Sequence, residues 1–151
     1  MSYLKKQLKV TRSNLLKEIE GLSPEFTDIQ PTGFNNTIHW HLGHVLTVAE
    51  KFLFGSPKSN NLPDNYGQLF GYGSKPSDWT GDVPSIETLK QQLQEQLDRI
   101  LAIPEETYHD KVETPFMGME TVEDFISTVI LHETNHIGQM HAMKLLIQSS
   151  N

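Results

Sequence analysis

The amino-acid sequence predicts an all-α fold, a four-helix bundle with a long crossover connection between its second and third helices. Four segments carry apolar residues at helical spacing, with polar residues on the opposite side. No strand-like alternation of useful length competes with them, and the 30 residues 55–84 separate the second segment from the third. A connection of that length is functional, disordered, or a crossover between parallel helices. The 151 residues are expected to form a single domain, 1–151.

The first predicted helix runs from about Tyr3 to Leu22. Its apolar stripe contains Leu4, Leu8, Leu15 and Ile19. The second is expected to follow the two capping-type residues Asn35 and Asn36 and to run from about Thr37 to Phe54. Its end is assigned to the sequence Gly55-Ser56-Pro57.

The third predicted helix follows Pro84 and Ser85 and ends at Pro104. Its apolar positions are Ile86, Leu89, Leu93, Leu97 and Ile100. The fourth helix opens with Thr121-Val122-Glu123-Asp124, which resembles a capping box, and runs to about Ile147. Both starts therefore carry local signals as well as a hydrophobic pattern.

Composition excludes several classes of partner. A formal net charge of −7 and 12 scattered basic residues argue against nucleic acid, which is bound by clustered Lys and Arg. No apolar run approaches the roughly 20 residues that span a bilayer, so no membrane partner is expected. The first residues enter an amphipathic pattern without a secretory h-region, which predicts a cytoplasmic location. With no cysteine, any metal must be held by His, Asp or Glu.

The fourth helix contains His132 and His136 on its apolar side. Two residues four apart on a helix lie about 40° apart, with Cα atoms about 6 Å apart, so they share one face. Both imidazoles can then reach one metal ion at roughly 2.0–2.1 Å. A buried imidazole without a partner is costly, and a metal is a common partner for it.

A third ligand is expected from the second helix, where His41 and His44 share a face. His44 is the predicted ligand and His41 the reserve. His39 and His141 lie about 140° from the site stripes, and His109 lies in a loop. Three histidines with open positions are typical of a catalytic metal site. Such a site suits one divalent transition metal, with zinc or nickel the first choices and iron or copper also compatible.

The segment His132-Glu133-Thr134-Asn135-His136 also matches the zinc-protease pattern H-E-x-x-H. That class needs a further ligand, but the 15 residues after His136 contain no Asp or Glu. A protease is therefore disfavoured. Glu133 is expected on the solvent side of the helix or at an interface, and its role, like that of His41, is left open. No catalytic residue is assigned.

The long connection 55–84 contains four aromatic residues among many Gly, Ser, Asn and Pro residues. One interpretation is a lid over the metal, with Tyr72 and Trp79 binding substrate. An alternative of at least equal weight is a surface crossover whose aromatic rings close the end of the bundle.

Two motifs resemble those of the DinB-like superfamily. They are Trp40-His41-Leu42-Gly43-His44 in the second helix and His132-(x)3-His136-x-Gly138-Gln139 in the fourth. The resemblance covers essentially the whole chain. It implies a metal bound by His44, His132 and His136, and it implies frequent homodimers. The chain departs from the family at Ile137, where Arg or Lys is common.

The resemblance also implies an activity. Relatives of this kind include transferases that use a metal and a low-molecular-weight thiol such as bacillithiol, mycothiol or glutathione. The first expectation is therefore an enzyme that activates such a thiol for attack on a small electrophile. Two alternatives stay open. One is a hydrolase using metal-bound hydroxide, with Glu133 or another group as base, and the other is a non-catalytic metal-binding stress-response protein.

Overall fold

A computed structural model of the protein describes residues 1–55 and 60–150. Four long helices dominate it: α1 (Tyr3–Glu18), α3 (Ile38–Phe54), α5 (Ile86–Leu101) and α6 (Val122–Ser149). Two short helices, α2 (Pro24–Thr27) and α4 (Tyr66–Phe70), lie in the connections, with 3-10 turns at Pro76–Asp78 and Glu105–Thr107. The predicted four-helix fold with a crossover between its second and third long helices is confirmed.

The long helices begin at side-chain caps. Ser2, Thr37, Ser85 and Thr121 each accept a hydrogen bond from the backbone N–H three residues further on. The predicted capping box is present, since the Asp124 side chain also accepts from the Thr121 backbone. Helix α1 ends at Glu18, earlier than predicted. Ser56 and Pro57, which were expected to help end the second long helix, lie outside the described residues.

Side-chain pairs give the helix directions. Arg12 contacts Glu133 and Glu18 contacts His141, so α1 and α6 run parallel. Helix α3 meets α6 in the opposite sense, because His41 contacts His136 while His44 contacts His132. Gln96 of α5 bonds to Leu46 and Arg99 to Glu50, so α3 and α5 run parallel. The crossover therefore joins two parallel helices, as helix bundles with long connections do.

A small β-hairpin precedes α6, which the sequence did not predict. Strands β1 (Lys111–Phe116) and β2 (Met119–Thr121) pair antiparallel. The turn between them is made by Met117 and Gly118, both with positive φ (49° and 84°), as tight hairpin turns require. Strand β1 is almost entirely exposed, so it lacks the apolar alternation by which a half-buried strand is identified.

The core is formed by apolar residues from every long helix and from α4. Fully buried members include Leu15, Leu42, Phe70, Leu93 and Met140. The connection 55–84 thus contributes to the core, and Phe70 of α4 has no exposed surface. No helix in the described part of the chain has the length and apolar character needed to cross a bilayer.

Candidate metal centre

The three histidines expected to bind a metal lie together at the interface of α3 and α6. One ring nitrogen from each of His44, His132 and His136 lies within 4.8 Å of the others. His44 Nε2 and His132 Nε2 are 3.1 Å apart. His44 and His136 are buried and His132 is half-buried, so one side of the cluster reaches solvent. Of the two candidates from the second long helix, His44 is the one that joins the cluster.

The orientation of His44 is set from two sides. Its Nδ1 donates a hydrogen bond to the backbone carbonyl of Phe70 at 2.7 Å. The proton of the neutral ring is therefore on Nδ1, and Nε2 keeps a lone pair for a metal. The Trp40 ring stacks on the His44 ring with centroids 4.4 Å apart and planes 14° apart. Both ring position and tautomer are thus determined by neighbouring groups.

His41 lies behind His136 rather than in the cluster. The two Nδ1 atoms are 2.8 Å apart, so one ring donates a hydrogen bond and the other accepts it. This contact leaves Nε2 of His136 for the cluster. His41 is fully buried, and its own Nε2 has no hydrogen-bond partner among the described residues. His41 is therefore placed to orient His136 through its Nδ1, the ring nitrogen that does not face the cluster.

The histidines of this region are neutral over a wide pH range. Burial lowers the pKa of His136 to about 3, with the neighbouring imidazoles adding to the effect. Burial and adjacent histidines likewise lower the pKa of His41 and of His132 to about 4. Burial also lowers the pKa of His44, against the opposing effect of its bond to Phe70. Neutral imidazole is the form that binds metal.

The donor set fits a divalent transition metal. Three neutral nitrogens converge, as zinc, nickel, copper and iron sites require. The group contains no carboxylate, so a bound cation would keep its full charge. His132 Nε2 and His44 Nε2 approach each other without an intervening group, an arrangement that a shared cation would stabilise.

Of the two positions expected for Glu133, the solvent side and an interface, the structure shows the interface, between α6 and α1. Its side chain is completely buried and accepts two hydrogen bonds from Arg12, at 2.7 Å from Nε and 3.0 Å from a terminal nitrogen. Arg12 is itself fully buried and also donates to the Leu93 carbonyl. On the helical wheel Glu133 lies about 100° from His132 and about 60° from His136, on the side of α6 that meets α1. Both of its oxygens accept hydrogen bonds from Arg12 on that side.

This ion pair continues into a polar network between the helices. Gln96 accepts a hydrogen bond from Arg12 at 3.2 Å and donates one to Glu50 at 2.7 Å. Glu50 in turn binds Arg99 and accepts from the backbone N–H of Asn61, at the start of the described crossover. Among the described residues, the network joins the carboxylates of Glu133 and Glu50 to the guanidinium groups of Arg12 and Arg99.

The remaining histidines lie away from the cluster, as expected. His39 is held between Asp28 and the Pro84 carbonyl, each at 2.8 Å. His141 contacts Glu18, and His109 contacts Glu123 near the surface. Each has a partner other than the three clustered rings.

Trp79 and Tyr72, the expected substrate-binding residues, occupy different environments. The Trp79 ring packs on Phe70 and His39, and its Nε1 donates to the Leu69 carbonyl. The Tyr72 side chain is fully exposed. Substrate binding by either residue stays a prediction. The Trp40 ring contacts the rings of His44 and His136. Its position in the motif that also contains His44 is the feature of the sequence from which this contact could have been predicted.

Three phenylalanines lie along the same α3–α6 interface. Phe52 makes edge-on contacts with Phe116 of the hairpin and Phe125 of α6, with centroids 5.2 and 5.0 Å apart. Phe52 comes two helical turns after His44, about 12 Å along α3. A cavity of about 460 Å³ lies elsewhere, between α1 and α5, and the three histidines are not among its lining residues.

Comparisons with known proteins agree with this description. A family model described as "DinB superfamily" matches residues 7–140. A crystal structure of a conserved protein from Enterococcus faecalis superposes with a TM-score of 0.70 over 99% of both chains, at 14% sequence identity. That similarity supports the fold alone. No functionally curated protein matches the sequence.

Proposed function

This chain belongs to the DinB superfamily, and from that membership and the histidine cluster we propose that it is a metal-dependent thiol transferase. In this proposal His44, His132 and His136 hold one divalent metal, with zinc or nickel preferred. The substrates are a low-molecular-weight thiol and a small electrophile. The observation that carries the proposal is the convergence of three neutral imidazoles with one side reaching solvent.

The chemistry matches the donor set. A divalent metal on three neutral ligands supplies a positive charge that lowers the pKa of a bound thiol and orients it. The chain contains no cysteine, so the reacting sulfur must come from outside. The residues of the protein then orient the site: the Phe70 carbonyl and the Trp40 ring hold His44, and His41 holds His136.

The apolar part of the electrophile is assigned to the three phenylalanines. Phe116 is about half exposed, at 47%, while Phe125 is buried, so the group of three phenylalanines presents an accessible aromatic edge. The edge lies on the same helix interface as the histidines. Aromatic and apolar walls with few polar groups are typical of sites for small organic molecules.

Hydrolysis assisted by Glu133 is disfavoured by the geometry. Both oxygens of Glu133 accept hydrogen bonds from Arg12. A general base must lie within hydrogen-bond reach of the proton that it removes. Glu133 would have to leave a buried ion pair to reach the histidine face. Hydrolysis with a different base, and metal binding without catalysis, stay as the two alternatives.

The test uses the protein purified without a histidine tag and loaded with zinc or nickel. We expect it to consume monobromobimane together with bacillithiol, glutathione or mycothiol, at a rate that depends on both metal and thiol. His132→Ala should lose this activity, and the control His141→Ala should keep it. Turnover of ester substrates without thiol would favour the hydrolase. Metal binding with no turnover would favour the non-catalytic protein.

The quaternary structure belongs to the same proposal. The resemblance implies a homodimer, and we expect light scattering on the metal-loaded protein to give about twice the 17.2 kDa chain mass. A mass equal to one chain would contradict this part alone.

A further inference from the structure

We propose that the crossover segment, defined as residues 60–84, is part of the metal centre: its seating on α3 positions His44, and bound metal in turn holds the segment in place. The inference rests on the proposed metal centre and adds a second element to it. It is independent of which reaction the metal supports.

The direct contact is between Phe70 of the segment and His44. The Phe70 carbonyl accepts the Nδ1 proton of His44 at 2.7 Å. Groups that hold the outer nitrogen of a metal-binding imidazole fix its tautomer and raise its affinity for metal. The group here is a main-chain atom, so its position depends on where the segment lies.

A close approach of backbone and ring makes this contact possible. Gly43 precedes His44, and a Cβ atom built at Gly43 would overlap the Phe70 ring. Phe70 has no exposed surface, so a shift of its ring would disturb buried neighbours. Glycine at position 43 therefore lets α4 lie directly against α3. Any larger residue would push Phe70, and its carbonyl, away from His44.

Two further contacts fasten the same segment to the same turn of α3. The Trp40 indole, which stacks on His44, donates a hydrogen bond to Ser74 at 3.0 Å. His39 contacts the carbonyl of Pro84 at 2.8 Å, at the other end of the segment. Three residues of one stretch of α3 thus join the segment at three points, and one of them, His44, is a predicted metal ligand.

These contacts imply a reciprocal effect. If seating of the segment favours the metal-binding position of His44, bound metal must favour seating by the same free energy. Exchange of the amide protons in the segment should therefore slow when metal binds.

The first experiment compares two glycine substitutions by competing the protein with a chromogenic chelator for zinc. Gly43→Ala should weaken zinc binding by about 10–100-fold, as loss of an outer partner of a ligating histidine does. The matched control is Gly67→Ala in α4, where a Cβ atom meets nothing within 4 Å. The control should bind zinc within about twofold of the unaltered protein. Equal affinity of all three proteins would overturn the proposal.

A double substitution separates this effect from general damage to α3. Phe70→Leu makes room for a methyl group at position 43 and keeps the carbonyl at position 70. The protein with both Gly43→Ala and Phe70→Leu should bind zinc more tightly than expected from adding the losses in binding free energy of the two single variants. Strictly additive losses would place the fault in α3 itself and contradict the role of the Phe70 contact.

The second experiment measures hydrogen exchange in the unaltered protein with and without zinc. We expect zinc to protect residues 60–84 in addition to the helices that carry the ligands. Protection of α3 and α6 alone would overturn the proposal and leave the thiol transferase intact. Protection of the segment in a protein without thiol-dependent turnover would support this inference and reject the transferase.

Discussion

Two groups of buried polar side chains lie on neighbouring faces of α6, and they differ in how completely their hydrogen bonds are made within the protein. On the α1 side, Arg12 and Glu133 share two hydrogen bonds, and Gln96 extends the network to Glu50. On the α3 side, the histidines contact mainly one another, and His41 Nε2 has no partner among the described residues.

The difference distinguishes a structural group from a binding group. Burial of a charged or polar group is costly unless its hydrogen bonds are made within the protein. The Arg12–Glu133 pair meets that condition with its own neighbours. Three imidazoles with depressed pKa values and converging nitrogens meet it better when a cation is shared among them. The same helix therefore carries both kinds of group on successive residues.

The largest effect on stability is expected from removing one partner of the Arg12–Glu133 pair. Arg12→Met leaves the Glu133 carboxylate buried without its partner, which should lower the free energy of unfolding by about 3–5 kcal/mol. Urea unfolding monitored by circular dichroism measures this loss. The double variant with Glu133→Leu should recover most of it, because both charges are then removed. A single variant as stable as the unaltered protein would mean that the pair contributes nothing.

The second largest effect is expected on metal binding, when a histidine of the cluster is replaced. His44→Ala, His132→Ala and His136→Ala should each weaken metal binding by more than the roughly 10–100-fold that an outer partner contributes. His39→Ala and His141→Ala should keep one metal per chain, because neither ring belongs to the group of converging nitrogens. Elemental analysis after dialysis measures the stoichiometry. Full occupancy in the His136→Ala protein would refute the assignment of the ligands.

The stability of the metal-free protein should depend on pH through the buried histidines. Unfolded histidines take up protons below about pH 6.5, while the pKa of folded His132 and of folded His41 is about 4 and that of His136 about 3. Stability of the metal-free protein is therefore complete above pH 6.5 and falls as the pH drops towards 4. The slope is at most about 1.4 kcal/mol per pH unit for each histidine.

Urea titrations at pH 7 and pH 5 measure this dependence, with His141→Ala as the control that should keep it. Equal stability at both pH values would contradict it. In the folded protein the histidine rings stay neutral well below pH 6. As long as the protein stays folded, metal release should therefore begin near pH 4, and not near the ordinary imidazole pKa of about 6.5.

The smallest effects are expected in the aromatic residues outside the cluster. Tyr72→Ala removes a fully exposed ring, so stability should change by less than about 0.5 kcal/mol. Trp79→Ala removes packing on Phe70 and should lower the melting temperature.

Phe116→Ala should raise the KM for an apolar electrophile at unchanged metal content. A higher KM in Tyr72→Ala or Trp79→Ala, with Phe116→Ala unchanged, would favour the lid interpretation of the crossover.

The parts predicted from sequence are those governed by local rules. The approximate starts of α3, α5 and α6 were predicted, although the residue that caps α3 is Thr37 and not Asn35 or Asn36. The face shared by His132 and His136 follows from helical periodicity. The metal ligand set itself stays a prediction, since what the structure adds is the proximity of the three rings.

The missed features depend on tertiary contacts. Arg12 gives no local sign that it is buried, because charged residues are almost always exposed unless a distant partner meets them. The carbonyl of Phe70 is a main-chain group, and no residue type indicates which side chain it will bind. Strand β1 of the hairpin is mostly exposed, so its sequence lacks the alternation of apolar and polar residues that identifies a half-buried strand.

The buried pair between Arg12 and Glu133 restricts which new chemistry the fold can acquire. Rotation of α6 by one residue position, about 100°, would present a different side chain to α3 but would separate Glu133 from Arg12. In the proposed transferase, the reaction can therefore vary only through exchange of side chains while the rotation of α6 about its axis stays fixed. Substitutions around Phe116 and His132, where solvent reaches the interface, would alter specificity there without disturbing the Arg12–Glu133 pair.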